Sequence, residues 1–292
     1  MRLLVTGASG QLGAYLLRDL VGRGHEVTAW SGSRQGDLSG VPLTPVDLAG
    51  RDAVAAAFRA ARPEAVIHCA GLGSVARCFR EPALAETINV GGTQRLAKLA
   101  DEAGARLVYV STDLVFDGKR GGYVEEDAPA PLSVYGRTKA RAEEAVWACR
   151  RGLVVRVSLL FGPSLIGRPS FFDEQVAALR ERRPCTLFAD EWRTPLSLPT
   201  AARALITMAE AEYSGILHLG GPERMSRFEM GQRLADFLGA DASVIVAARR
   251  EDVAAPEPRP RDNSLDSSRW RGPFARLPWP GYTDSLREMG QA

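Results

Sequence analysis

The sequence predicts an α/β fold: a doubly wound, parallel sheet followed by a smaller C-terminal α/β part. Three observations support this prediction. Short aliphatic runs alternate with helix-like segments over residues 1–160. A glycine-rich turn joins the first run to the first helix. After about residue 160 the alternation becomes less regular, so we assign residues 1–160 to one domain and 161–292 to a second, from which a segment should return to the first sheet.

Composition and charge exclude several classes of protein. The chain has 292 residues, is 45% hydrophobic and 25% charged, and carries a net charge of +2 from intermixed residues. Nothing therefore indicates a nucleic-acid partner or a membrane-surface patch. The cysteines have no metal-ligand spacing, so we expect reduced, buried thiols and no metal: Cys69, Cys78, Cys149 and Cys185. With no secretory segment and no bilayer-spanning run, we expect cytoplasmic residence.

The first strand, turn and helix predict a dinucleotide site. Residues 2–6 are aliphatic, residues 7–13 read GASGQLG, and residues 11–21 have helical apolar spacing. Glycines at this spacing let the backbone approach a pyrophosphate at the N-terminus of a helix. The residues expected to bind the cofactor here are Gly7, Ser9, Gly10, Gln11, Leu12 and Gly13.

The end of the second strand, residues 26–30, indicates which dinucleotide binds. Ser31, Ser33 and Arg34 follow it, and the acidic Asp37 comes later. A carboxylate would suit the ribose 2′-hydroxyl of NAD, and a basic residue suits the 2′-phosphate of NADP. NADP(H) is therefore favoured and NAD remains possible, although Arg34 could equally be a solvated loop residue.

Two further strands extend the predicted cofactor edge. Residues 46–48 should close a third strand, with Leu48 at the site and Asp47 accepting from the adenine amino group. A helix over 51–61 precedes a buried strand over 65–70, and we expect Cys69, Ala70 and Gly71 to contact the cofactor. His68 lies inside that strand, so we interpret it as a core residue. A long helix over 83–103, interrupted at residues 91–92, leads to a strand over 106–110.

The next two elements carry the predicted chemistry. Ser111, Thr112 and Asp113 follow the strand at its carboxyl end, where ligands bind in open α/β sheets. After a loop over 117–131, Tyr135 and Lys139 are four residues apart in a helical segment and share one face. A nearby ammonium favours the phenolate, so the sequence predicts a tyrosine that can act as a general acid.

Four motifs together resemble the extended short-chain dehydrogenase/reductase family: TGASGQLG at 6–13, NVGGT at 89–93, STD at 111–113 and YGRTK at 135–139. Within that family, STDLVFDG at 111–118 and RPRDNSLDSSR at 259–269 are similar to the dTDP-4-dehydrorhamnose reductases. The resemblance covers essentially the whole chain. It implies that Thr112 hydrogen-bonds the substrate carbonyl and Tyr135 donates the proton. Lys139 would bind the nicotinamide ribose and lower the pKa of Tyr135. Asn89 would lie close behind this pair.

Two positions depart from that branch of the family. Leu159 stands where the rhamnose reductases have a tryptophan in the sugar pocket. Tyr15 stands where some of them have a glutamate used in a metal-linked dimer contact. We therefore include Leu159 among the substrate residues and leave a homodimer open.

The second part should bind the small-molecule substrate. A strand over 153–158 is followed by predicted helices over 171–181, 200–211 and 228–238 and by a strand over 216–219. Trp192, Arg193, Arg259 and Arg261 could clamp an acidic ligand such as a nucleotide diphosphate, or could hold loops together. With Asp113 from the first part, Arg193 and Arg259 are our substrate candidates. His218 is interpreted as structural.

The residues support one function and leave two open. The first is an NADP(H)-dependent reductase of a nucleotide-linked 4-keto-6-deoxy sugar. The second is a sugar-nucleotide epimerase; dehydration is disfavoured because Leu114 stands where dehydratases carry a glutamate after the Thr-Asp pair. The third is a non-catalytic, NADP-binding regulatory subunit similar to that of methionine adenosyltransferase, which shares the C-terminal signature.

Overall fold

The structure, a computed structural model, describes residues 1–290. Its strands in chain order are β1 (Arg2–Thr6), β2 (Glu26–Ser31), β3 (Asp37–Leu38), β4 (Val41–Pro45), β5 (Ala65–His68), β6 (Arg106–Thr112), β7 (Gly152–Val157), β8 (Leu160–Phe161), β9 (Cys185–Phe188), β10 (Trp192–Arg193), β11 (Leu196–Ser197), β12 (Gly215–Leu219), β13 (Met225–Ser226) and β14 (Ile245–Ala248).

Eight of these strands form one large sheet in the order β12-β7-β6-β5-β1-β2-β4-β3. Neighbours are parallel throughout, except that β3 pairs antiparallel with β4. The chain runs outward from β1 to β4 and then returns to β5 on the other side, so a crevice opens beside β1 at the carboxyl ends of the strands. The predicted doubly wound, parallel sheet is confirmed.

Helices cover both faces of the sheet, as parallel connections require. In chain order the helices are α1 (Gln11–Leu20), α2 (Arg51–Ala61), α3 (Val75–Arg80), α4 (Pro82–Ala85), α5 (Thr93–Glu102), α6 (Val134–Trp147), α7 (Phe171–Arg180), α8 (Leu198–Glu210), α9 (Arg227–Leu238), α10 (Ser268–Arg271) and α11 (Tyr282–Gly290). One face packs α1 and α8 onto the sheet through residues such as Leu16 and Leu205. The opposite face packs α2, α5 and α6 through residues such as Phe58, Leu96 and Val146.

Helix α8 and strand β12 return to the large sheet late in the chain. Strand β12 pairs in parallel with β7 at the edge of the large sheet, with Leu217 opposite Val155. Helix α8 packs beside α1 on the sheet face. Residues 198–219 therefore complete the first sheet, although they lie well beyond residue 160 in sequence.

The remaining C-terminal elements build a smaller α/β layer with its own core. Strands β9 and β14 pair in parallel, and short pairs join β8 to β11 and β10 to β13. Helices α7, α9 and α11 bury side chains such as Phe172, Leu234 and Leu286 in one cluster. Helix α9 has a capping box between Ser226 and Glu229, which pairs N–H groups that the first turn leaves free.

Two predicted elements differ from the structure. The strand predicted at residues 46–48 corresponds to β4, which covers Val41–Pro45 and ends before those residues. The predicted interruption at residues 91–92 is wrong, because a π-helical segment, Glu86–Gly92, continues from α4 into α5. A Cβ on Gly92 would lie 3.0 Å from the Leu48 side chain, so glycine allows this segment to pack close to the chain after β4. No helix within residues 1–290 is long and apolar enough to cross a membrane.

Candidate active site

The glycine turn between β1 and α1 has the close packing that a pyrophosphate cradle needs. Gly7 has φ +69°, and a Cβ there would lie 2.7 Å from the Ala70 nitrogen. A Cβ on Gly13 would overlap the Gly7 carbonyl oxygen. Gly10 caps α1 without a side-chain hydrogen bond, so the first-turn N–H groups have no side-chain cap. The backbone therefore fits a dinucleotide phosphate at this helix N-terminus.

A cleft of about 340 Å³ extends from this turn to the ends of β2 and β4. Predicted cofactor residues that line it are Gly7, Ser9, Gly10, Ser31, Asp47, Leu48, Cys69, Ala70 and Gly71. Others lie outside its lining: Gln11, Leu12, Gly13, Ser33 and Arg34. Sequence reasoning missed Arg77 and Arg168, which also line this cleft. Arg168 has no local sequence signal because the fold brings it from a distant loop.

Arg34 and Asn89 have specific structural partners. Arg34 donates from Nη1 to the carbonyl of Ile166 at 3.3 Å. Asn89 is buried behind Gly71, where its Oδ1 accepts from the Leu72 N–H at 2.7 Å and its Nδ2 donates to Thr138 Oγ1 at 2.9 Å. Asn89 thus fixes the turn after β5 to the helix that carries Tyr135 and Lys139.

Tyr135 and Lys139 lie on α6, whose first turn is capped by Ser133 through the Gly136 N–H at 3.1 Å. Lys139 is buried, donates to the Val110 carbonyl at 2.8 Å and lies 4.1 Å above the Tyr109 ring centroid. The lysine is thereby held against the end of β6.

All of the predicted catalytic and substrate residues meet in a second cleft of about 650 Å³. They are Thr112, Asp113, Tyr135, Lys139, Leu159, Arg193 and Arg259. Glu191 and Arg227 also line this cleft and were missed, since neither belongs to a recognisable motif. Cys69 and Gly71 line both clefts, so the two are continuous.

The prediction that Tyr135 has a depressed pKa is wrong. Burial raises the pKa of Tyr135, and the Asp113 carboxylate raises it further, while a hydrogen bond with Thr112 acts in the opposite direction. Burial also lowers the pKa of Lys139 to about 8, against the opposing effect of Glu143. The desolvation of each group outweighs the attraction between lysine and phenolate on which the prediction rested. Tyr135 therefore keeps its proton at neutral pH.

A buried ladder of charges leads from Thr112 toward the C-terminal part. Thr112 Oγ1 donates to Asp113 Oδ1 at 3.2 Å, and Arg193 Nε lies 3.4 Å from Asp113 Oδ2. Arg193 Nη2 then donates to Glu191 Oε1 at 3.1 Å. Burial raises the pKa of Asp113, and Arg193 counteracts that shift.

Two more arginines lie at the far end of this ladder. Arg227 Nε and Arg259 Nη1 each lie 3.9 Å from the Glu191 carboxylate. That separation exceeds a hydrogen bond, so both guanidinium groups can turn toward a ligand in the cleft.

The C-terminal motif RPRDNSLDSSR, residues 259–269, contacts the segment that follows Thr112. Asn263 is fully buried, and its Nδ2 donates to the carbonyls of Asp113 at 2.9 Å and Phe116 at 3.3 Å. Trp192 and Arg261 lie outside the cleft lining: Trp192 packs under Arg224, and its N–H donates to the Arg261 carbonyl at 2.7 Å. These two residues hold loops, the second of the two roles that the sequence left open.

The histidines predicted to be structural are buried and paired. His68 lies between the hydroxyls of Thr6 at 2.6 Å and Thr93 at 3.0 Å, and burial lowers its pKa to about 3. His218 Nδ1 lies 3.0 Å from the Tyr123 carbonyl oxygen. Both predictions are confirmed. The four cysteines are free, as predicted, but only Cys78 is buried, so the prediction of burial is wrong for the other three.

Tyr15, at the position of the family's dimer-contact glutamate, is buried in this protein. Its hydroxyl donates to the Pro163 carbonyl at 2.7 Å, and burial raises its pKa to about 12. Tyr15 therefore joins α1 to the segment after β8 and does not present a surface ligand.

Comparisons with known proteins agree with this geometry. Residues 1–291 match the family described as RmlD substrate binding domain. The chain belongs to this family. It is 33% identical to a dTDP-4-dehydrorhamnose reductase of Streptomyces griseus over 92% of this chain and 87% of that protein. It is also 30% identical to the methionine adenosyltransferase 2 subunit beta of Danio rerio, over 92% of this chain and 83% of that one.

A solved structure gives the same fold. The dTDP-4-dehydrorhamnose reductase of Bacillus anthracis, solved in complex with NADP, superposes with a TM-score of 0.89 at 25% identity, covering 99% of this chain and 98% of that one. The resemblance to the rhamnose-reductase branch of the extended short-chain dehydrogenase/reductases is confirmed. The predicted membership in a family of NAD(P)-dependent oxidoreductases is confirmed with it.

Proposed function

We propose that this protein is an NADP(H)-dependent reductase of a nucleotide-linked 4-keto-6-deoxy sugar. The observation that carries the proposal is the meeting of Thr112, Tyr135 and Lys139 in a cleft continuous with the dinucleotide cleft. A substrate carbonyl in the larger cleft would lie near the hydroxyls of Thr112 and Tyr135 on one side, with the nicotinamide of a bound cofactor on the other. The homologous reductases of Streptomyces griseus and Bacillus anthracis support the same substrate class.

Each catalytic side chain has a distinct task. When bound, NADPH supplies the hydride that reaches the carbonyl carbon. Tyr135 gives its phenolic proton to the carbonyl oxygen, so the ketone becomes an alcohol; its raised pKa keeps that proton available at neutral pH. Thr112 donates a hydrogen bond to the same oxygen. Lys139, held against β6, donates to the nicotinamide ribose and stabilises the phenolate left by proton transfer.

The C-terminal part supplies the remaining contacts. We place the sugar against Leu159 and Asp113, and the diphosphate against Arg193, Arg227 and Arg259, because guanidinium groups bind phosphate oxygens in bidentate fashion. In this assignment residues 161–292 are the substrate-binding part, apart from the segment that completes the first sheet. A homodimer and cytoplasmic residence stay predictions.

NADPH consumption with a panel of nucleotide-linked 4-keto sugars and simple ketones, with NADH in parallel, tests the proposal. We expect turnover of dTDP-linked 4-keto-6-deoxy sugars with NADPH. Tyr135→Phe should abolish turnover while cofactor binding is retained. Tyr213→Phe is the matched control, because Tyr213 lies outside both clefts. Full activity in Tyr135→Phe would contradict the mechanism.

A second candidate follows from the similarity to subunit beta of methionine adenosyltransferase 2. A regulatory subunit would bind the cofactor and remain inactive across the panel. It would also co-purify in stoichiometric amount with a methionine adenosyltransferase from its source cell. The intact set of Thr112, Tyr135 and Lys139 favours the reductase, since binding alone does not need all three.

A further inference from the structure

We propose that Arg168, in the loop between β8 and α7, binds the 2′-phosphate of NADP(H) and sets the preference for NADP(H) over NAD(H). The inference rests on the cofactor assigned in the proposed function and names the residue that recognises it. The sequence pointed instead to Arg34, next to the end of β2.

Arg168 lies in the part of the dinucleotide cleft that would hold the adenosine. The adenosine end of the dinucleotide cleft is formed by residues at the end of β2, Trp30, Ser31 and Gly32. In this fold the ribose 2′-position lies at that strand end. Arg168 lines the same cleft although it is more than a hundred residues away in sequence. Arg168 therefore lines the cleft in which a 2′-phosphate would project.

The loop that carries Arg168 is tied to the cofactor side by three hydrogen bonds. Tyr15 Oη donates to the Pro163 carbonyl at 2.7 Å, and Gln11 Nε2 donates to Ser164 Oγ at 3.0 Å. Arg34 Nη1 donates to the Ile166 carbonyl at 3.3 Å. All three donors belong to α1 or to the segment after β2, so the loop is fixed over the glycine turn.

On the α7 side of Arg168, the loop is anchored by Ser170, whose hydroxyl donates to the Gly162 carbonyl at 3.0 Å and whose N–H donates to Asp173 Oδ2 at 2.7 Å. Ile166 is itself buried. Arg168 therefore extends from a loop that is held at both ends, which limits the entropy lost when it binds a phosphate.

Contacts and position separate Arg168 from two other arginines nearby. Arg77 lines the cleft, but its guanidinium forms a two-point pair with Glu81, with bonds of 2.9 and 3.3 Å. Arg34 lies outside the cleft lining, and its guanidinium donates to the Ile166 carbonyl. Within residues 1–290, Arg168 has no hydrogen-bond or ion-pair partner. Its positive charge is thus free to bind an anion.

The strand end also lacks the group that would select NAD(H). The residues that follow Trp30 are Ser31, Gly32 and Ser33, and none of them carries a carboxylate for a ribose 2′-hydroxyl. The Ser31 hydroxyl is already used, since it donates to the Arg34 carbonyl. A phosphate at this place would meet a cation and no opposing carboxylate at the strand end.

Calorimetric titration with 2′,5′-ADP and with 5′-AMP, which differ only in the 2′-phosphate, isolates that group without any turnover. The variants are Arg168→Ala and Arg168→Lys, with Arg59→Ala as the matched control, because Arg59 is an exposed arginine on α2 away from the cleft. We expect Arg168→Ala to weaken 2′,5′-ADP binding roughly tenfold or more and 5′-AMP binding less than about twofold. Arg168→Lys should recover part of the loss, since lysine binds phosphate as a point charge.

The outcomes distinguish the inference from the function on which it rests. If wild-type protein prefers 2′,5′-ADP and Arg168→Ala keeps that preference, the inference is wrong and the reductase proposal stands. If wild-type protein does not distinguish the two probes, both the inference and the NADP(H) assignment are wrong. Titrations at one fixed ionic strength, with thermal melting of each variant, exclude screening and unfolding as causes.

Discussion

Replacement of Arg193 by methionine tests the buried ladder of charges beside Thr112. Arg193 is about 5% exposed and lies between two buried carboxylates, those of Asp113 and Glu191. Removal of one partner from a buried ion pair costs about 3–5 kcal/mol, because the other charge is left uncompensated. We expect Arg193→Met to lower the free energy of unfolding by about 3 kcal/mol, near the lower end of that range. Asp113 keeps hydrogen bonds from Thr112 and Ser158, and Glu191 keeps two arginines at 3.9 Å.

The sign of the pH dependence is a second test of the same variant. The pKa of Asp113 is raised by burial and held down by Arg193, so the loss of Arg193 raises it further. A carboxyl whose folded pKa exceeds its unfolded value binds more protons in the folded state. Stability therefore falls as pH rises from about 4 through the raised pKa. The loss of unfolding free energy in Arg193→Met, relative to wild-type protein, should be smaller in mild acid than at neutral pH.

Urea unfolding at two pH values measures both effects. The double variant Arg193→Met with Asp113→Asn should recover more than half of the loss at neutral pH, because the uncompensated charge is gone. Lys98→Met, which breaks the exposed pair with Glu102, is the control and should cost less than about 0.5 kcal/mol. A loss under about 1 kcal/mol in Arg193→Met, or no rescue by Asp113→Asn, would refute the reasoning.

Two further predictions concern the cofactor side. Because burial lowers the pKa of Lys139 to about 8, its ammonium loses its proton as pH rises through that value, and NADPH binding should weaken there. Fluorescence titration of Lys139→Met should show weaker binding with no such pH dependence; an unchanged profile would exclude Lys139 as the titrating group. Gly13→Ala places a methyl group into the Gly7 carbonyl and should abolish NADPH binding in the same assay. Gly272→Ala should not, because Gly272 has φ −60°, its nearest contact would be at 3.4 Å, and it lies outside both clefts. Equal affinity in the two glycine variants would remove the glycine turn from the cofactor site.

The sequence predicted the parts of the site that depend on local pattern. The glycine turn, the STD strand end and the Tyr135–Lys139 spacing each occupy one continuous segment, and parallel strands bring their carboxyl ends to one edge. Arg168, Glu191 and Arg227 were missed because each reaches its cleft from a part of the chain with no recognisable motif. Their positions depend on tertiary packing, which no local pattern encodes.

The errors also have local physical causes. The strand Val41–Pro45 contains two prolines, which lowers its strand signal, but β4 accommodates them beside the two-residue edge strand β3. Gly91 and Gly92 resemble a helix break, yet the chain continues as a π-helical segment, in which glycine lets position 92 pack close to Leu48. The predicted effect of Lys139 on Tyr135 considered one charge and omitted the desolvation of both groups.

The return of α8 and β12 to the large sheet has a consequence for how the protein folds. A fragment ending at residue 160 would keep the pairing of β7 with β6, but it would leave the other edge of β7 without its partner β12 and the apolar surface beneath α8 in contact with water. Such a fragment should aggregate rather than fold alone. The chain is therefore not two modules in series, and the sheet cannot be completed until residue 219 has been synthesised. The first 160 residues, which hold the glycine turn, therefore depend for their solubility on the later part of the chain, which carries Arg193, Arg227 and Arg259.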